Sequence, residues 1–88
     1  MAYRVEIAPA FARQFRQLPP AVQRRWRPRL DALAQEPRSQ GVEKLRGAED
    51  LYRLRVGDYR VIYQIQDDVL VLVLLHVGHR RDVYRHLP

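Results

Sequence analysis

The hydrophobic pattern of these 88 residues predicts an α+β fold in the order β-α-α-β-β-β, a small antiparallel sheet with an αα-hairpin packed on one face. Three observations carry this expectation. Apolar residues recur at helical spacing through the first half of the chain, and at a spacing of two in the runs Leu51–Val56 and Tyr59–Ile65. Between two of the alternating runs stands Gly57-Asp58, a pair suited to a tight hairpin turn.

Tyr3 to Ile7 sets Tyr3, Val5 and Ile7 against Arg4 and Glu6, the pattern of a short half-buried strand. From Pro9 the period changes, and Phe11, Phe15 and Leu18 fall on one helical face with Arg13 and Arg16 turned away. Leu18-Pro19-Pro20 stops that helix, because a residue before proline is pushed out of the α region. A second helix, from Ala21 to Gln35, buries Val22, Trp26, Leu30 and Leu33. Pro28 inside it costs on the order of 3 kcal/mol or imposes a kink, which predicts a bent or divided element. Glu36 to Gly41 reads as a loop.

The remainder reads as sheet. Leu51–Val56 and Tyr59–Ile65 form a hairpin, with glycine at the first turn position as a type II′ turn requires. Gln66-Asp67-Asp68 makes the next turn, and the apolar run Val69–Val77 predicts a central strand covered on both faces. The first strand is expected at an edge or beside the last one. Gly78 is expected to end the last strand and turn the chain.

Composition bounds the function. The chain has the size of one domain, residues 1–88, with one modest core. Without cysteine there is neither a disulfide framework nor a thiolate metal site, and three histidines make a weak metal case, so no metal and no cofactor are expected. MAYRVEIAPA lacks the apolar core of a signal peptide and VLVLVLL is too short to span a bilayer, so a cytoplasmic protein with no membrane partner is expected. The formal net charge is +6, and Lys44 is the one lysine beside fifteen arginines. That balance favours polyanionic partners, and guanidinium offers planar donors suited to phosphate, although a GC-rich genome enriches arginine without any functional cause.

The hairpin register sharpens this. A two-residue turn pairs Val56 with Tyr59, Arg55 with Arg60, Leu54 with Val61, Arg53 with Ile62 and Tyr52 with Tyr63. Arg53, Arg55 and Arg60 then share one open sheet face, while Tyr52, Leu54, Val56, Val61 and Tyr63 meet the helices. Like charges directly opposite one another are destabilising by a few tenths of a kcal/mol, roughly, unless an anion visits them. The bland reading is that the arginines splay into water and cover Ile62 with their stems. Beyond the last strand, His79, Arg80, Arg81 and Tyr84 follow in a short tail that can fold back over the arginine face. Clustered guanidinium groups stabilise the extra charge of a phosphoryl-transfer transition state, and they favour the phenolate of Tyr84, a general base. On its own Tyr84 reads as an anchoring aromatic, and His76 and His79 as core and surface residues.

KLRG at Lys44–Gly47, YRLRVGDYRVIY at Tyr52–Tyr63 and VGHRRDVY at Val77–Tyr84 together resemble the RelE/ParE superfamily of bacterial toxins, in their order and at their distances. The resemblance covers nearly the whole chain and implies the RelE-like microbial ribonuclease fold. Its RelE branch cuts messenger RNA in the ribosomal A site by attack of the 2′-hydroxyl, without metal. On that resemblance Arg60, Arg80 and Tyr84 are the catalytic set, with Arg60 on the scissile phosphate and Tyr84 as base. Arg53 and Arg55 stand at phosphate-binding positions often held by lysine, and Lys44 and Arg46 add contacts to RNA. Arginine at 53 and 55 keeps the charge but donates protons poorly. Four residues follow Tyr84, little of the C-terminal helix of some relatives.

ParE-type relatives share the fold and an arginine-rich tail like His79–Arg81, and act by poisoning DNA gyrase without cutting RNA. A plain RNA-binding module is a third reading, although the exposed aromatic platforms it needs are not evident. Either toxin reading implies a cognate antitoxin, RelB-like or another small acidic or amphipathic protein. The ribosome and its message are the partners of the nuclease reading. Operator DNA is contacted only through the antitoxin.

Overall fold

The computed structural model describes residues 2–79. The elements are β1 (Arg4–Ile7), α1 (Pro9–Arg16), α2 (Pro20–Gln35), β2 (Val42–Lys44), β3 (Leu51–Val56), β4 (Tyr59–Gln66) and β5 (Val71–His79). They build one five-stranded sheet in the order β1-β5-β4-β3-β2, with the helical hairpin on one face. The α+β class and its element order are therefore as expected, with β2 added at the far edge.

The core lies between that hairpin and the sheet. Phe11, Leu18, Trp26 and Leu33 pack from the helical side against Leu54, Val61, Tyr63, Ile65, Leu72, Leu74 and Val77. α1 opens on Pro9, whose missing N–H is unsatisfied at that position in any helix. It ends at Arg16, and the Leu18 carbonyl beyond it accepts a 2.9 Å bond from the Gln23 side chain.

Pro28 does not divide α2, which runs unbroken from Pro20 to Gln35. Both Pro28 and Arg24, whose carbonyl loses its partner, are exposed, so water can take over that bond. Trp26 and Leu33, fully buried on either side, hold the two halves to the sheet.

Strand β1 joins the sheet beside β5, as one of the two expected placements, and runs parallel to it from Arg4 opposite Val71 to Ile7 opposite Leu74. Parallel neighbours need a crossover, and here everything from α1 to β4 supplies it. The sheet is accordingly mixed at this edge and antiparallel elsewhere. The expected half-burial of β1 does not hold: Val5 is 39% and Ile7 57% exposed. As an edge strand β1 is covered only from one side, where Val5 and Ile7 line a shallow groove with Phe11, Phe15 and Leu30.

Strand β5 is central, but its two faces differ. Leu72, Leu74 and Val77 are buried under the helices, whereas Val73 and His76 on the opposite side are half-buried. The strand starts at Val71, since Asp67 to Leu70 form the turn and Leu70 takes a positive φ of 53°. Gly78 does not end the strand. It lies within β5 opposite Arg60, held by the ladder to β4. Between Ile62 and Tyr63 the β4–β5 register shifts by a bulge, after which Ile62 faces His76 and Val61 faces Val77. β1 stops at the level of Leu74, and beyond it the Gln14 side chain of α1 accepts the Val77 N–H at 2.9 Å.

Candidate functional site

The hairpin β3–β4 has the register expected from its turn. Val56 pairs with Tyr59, Arg55 with Arg60, Leu54 with Val61, Arg53 with Ile62 and Tyr52 with Tyr63. Gly57 has φ +60° and Asp58 has no positive φ, as a type II′ turn requires. Strand alternation then puts Arg53, Arg55 and Arg60 on the face away from the helices, because Leu54, Val61 and Tyr63 are in the core.

This face is not a row of freely solvated arginines. Arg55 is exposed, but Arg60 is half-buried and its Nε lies out of solvent. Ile62, flanked in register by Arg53 on β3 and His76 on β5, is fully buried although it stands outside the core cluster under α1 and α2. Opposite Arg60 the chain has Gly78, which contributes no side chain beside the guanidinium. The arrangement is a basic face with Arg55 and Arg60 directly across from each other. A phosphate between two such guanidinium groups satisfies donors of both.

Strand β2 adds a residue that the sequence reading missed. Glu43 pairs with Arg53, and its Oε2 accepts a charge-assisted hydrogen bond from the Arg53 guanidinium. A three-residue strand has too short a pattern to be read from periodicity. Lys44 lies opposite Tyr52, so its strand parity is that of the helix-facing residues and not that of Arg53. Arg46 is exposed in the turn that follows. The sheet therefore gathers Arg53, Arg55 and Arg60 and leaves Lys44 and Arg46 at the periphery. Arg80 and Tyr84 lie outside the described residues.

A second polar cluster secures the far end of the sheet. Arg38 in the loop after α2 makes a two-pronged ion pair with Asp67, at 3.1 and 2.7 Å, and donates to the Tyr52 hydroxyl at 3.3 Å. Tyr3 donates to the same carboxylate at 2.6 Å. The Arg38 hydrogen bonds, then that of Tyr3, hold the Asp67 carboxyl down at about 2, while the same carboxylate pushes the Tyr3 hydroxyl up. Tyr63, stacked on Tyr52, donates to the Pro37 carbonyl at 2.5 Å, and burial raises its hydroxyl well above the usual phenol range. These contacts tie β1, the 36–41 loop, β3 and the β4–β5 turn together, so the arginine strands rest on a fixed frame.

Residues 5–84 match the family model for the ParE toxin of the type II toxin–antitoxin system parDE. The mRNA interferase toxin RelE of Escherichia coli K12 is 32% identical over 82 residues, which are 91% of this chain and 85% of the relative. The crystal structure of the isolated E. coli RelE toxin superposes with a TM-score of 0.80 at 28% identity, covering 89% of this chain and 84% of that one. The RelE–RelB complex of Pyrococcus horikoshii OT3 contains a chain 38% identical, again with a TM-score of 0.80, over 94% of this chain and all of that one. Fold and sequence similarity converge: the chain belongs to the RelE/ParE superfamily, as a RelE-like toxin of the type II toxin–antitoxin class.

Proposed function

We propose that this RelE-like toxin is an endoribonuclease that cuts messenger RNA in the ribosomal A site. The observation that carries the reading is the direct opposition of Arg55 and Arg60 on the face away from α1 and α2, with Arg53 on the same face and Gly78 across from Arg60. Two like charges fixed opposite each other destabilise a bare sheet, and a bound phosphodiester offsets that cost.

In this reading Arg60 holds the scissile phosphate, and Arg53 and Arg55 grip the neighbouring phosphates. Tyr84, as phenolate, takes the proton of the ribose 2′-hydroxyl. The 2′-oxygen then bonds to phosphorus while the P–O5′ bond breaks, leaving a 2′,3′-cyclic phosphate and a 5′-oxygen anion that takes a proton from water to become the 5′-hydroxyl. Arg60 and Arg80 neutralise the charge that builds on the non-bridging oxygens, where preorganised donors contribute most. No cofactor takes part. Lys44 and Arg46, at the periphery, contribute outlying contacts to RNA.

A RelB-like antitoxin is the partner that restrains it, since the P. horikoshii relative was solved with RelB. The basic surface calls for an acidic or amphipathic partner, and operator DNA is reached through that partner. The ribosome as substrate carrier places the protein in the cytoplasm.

Primer extension on a reporter message translated in a bacterial extract tests the reading. Discrete, ribosome-dependent cuts by the wild type and none by folded Tyr84→Phe are expected. Intact message beside inhibition of gyrase supercoiling would replace the nuclease with the gyrase-directed activity of the ParE branch.

A further inference from the structure

Glu43 is the single acidic residue in strands β2, β3 and β4, and the register places it on the arginine face, against Arg53. Its carboxylate already occupies a guanidinium donor that a phosphate would use. The two partners are held unequally. The Arg53 side chain is 30% exposed and lies on a paired inner strand, whereas Glu43 is 64% exposed on the edge strand. If an anion arrives, the carboxylate can swing into water at small cost while the guanidinium stays where the sheet holds it.

We propose that Glu43 is a built-in counter-anion for the phosphate site: it holds Arg53 in the RNA-free protein and yields to a phosphate in the RNA-bound one. The inference rests on the reading of the arginine face as a phosphate site. Glu43 touches no substrate atom and acts through Arg53, so it is a positioning residue that sets affinity. Its effect is to withhold one cation from any passing polyanion. Stray RNA is then held weakly, and the full grip goes to a strand that engages Arg55 and Arg60 as well and so displaces the carboxylate.

The test is the affinity of an eight-nucleotide 2′-O-methyl RNA, which lacks the nucleophile and cannot be cut, measured by fluorescence anisotropy over a range of salt. Wild type, Glu43→Gln, Arg53→Ala and the double variant are compared after circular dichroism shows each folded. Glu43→Gln is expected to bind about two- to fivefold tighter, the worth of one exposed ion pair. Its slope of log K against log salt is expected to steepen by up to about 0.7, one phosphate contact on a single strand. Both gains should vanish when Arg53 is alanine, and Glu43→Asp should keep the wild-type affinity. Equal or weaker binding by folded Glu43→Gln, a gain that persists without Arg53, or no saturable binding by either protein overturns the proposal. Primer extension separates this from the nuclease reading. Cuts with unchanged Glu43→Gln affinity sink the counter-anion alone, and absent cuts with the full affinity pattern sink the nuclease alone.

Discussion

Tyr63 shows how a single polar atom is managed inside this small core. Its ring is fully buried, and its hydroxyl donates to the Pro37 carbonyl. Tyr63→Phe leaves that carbonyl without its donor, and a loss of about 1–2 kcal/mol in urea unfolding is expected. An unchanged midpoint would mean that water replaces the bond. On the opposite face, the proposed role of Arg60 predicts that Arg60→Ala stays folded by circular dichroism and loses cleavage, since its position faces away from the helix-side core. At this scale the sequence was informative about arginine placement, because alternation and a two-residue turn leave one register. It was silent on Glu43 and Arg38, whose partners come from a strand of three residues and from a turn, where no period predicts a neighbour.

The elements differ in how much of their placement is local. α1 and the hairpin β3–β4 follow from spacing and turn chemistry within a few residues, and both were legible. Strand β1 was not fully so, since its parallel pairing and its exposure depend on where β5 lies about seventy residues later. α2 is the case in which a local rule yields to packing. Pro28 interrupts the hydrogen-bond ladder, yet Trp26 and Leu33 hold the helix on the sheet. Pro28→Ala restores an N–H that can bond to the Arg24 carbonyl. It is expected to stabilise the protein by about 1–2 kcal/mol, after the entropy that alanine returns to the unfolded chain is deducted. Unfolding in urea checks this, and a neutral or negative change would show that α2 bends in a way that suits proline. Trp26→Ala, by contrast, should cost about 3–5 kcal/mol in the same experiment.

Across the whole molecule, the Arg38–Asp67–Tyr3 cluster joins segments that are distant in sequence, and it carries a pH signature. The Asp67 carboxyl is lowered from 3.8 to about 2 in the folded state. A depressed folded value means that its contribution is complete above the unfolded value and disappears as pH falls through the folded one, here between about pH 4 and 2. Thermal midpoints of the wild type should therefore fall more steeply across that window than those of Asp67→Asn, and parallel curves would show that the cluster contributes nothing to folding. The same frame supports the arginine strands, whose proposed grip on a phosphate is the central claim. Among the described residues no helix is long and apolar enough to cross a membrane. The most direct test is single-turnover cleavage of message on programmed ribosomes by wild type, Arg55→Ala and Arg60→Ala, each shown to be folded. The proposed role of Arg60 predicts a loss of about a hundredfold or more for Arg60→Ala, in line with removing one preorganised oxyanion donor, and a smaller loss for Arg55→Ala. Folded Arg60→Ala cutting at nearly the wild-type rate would contradict it.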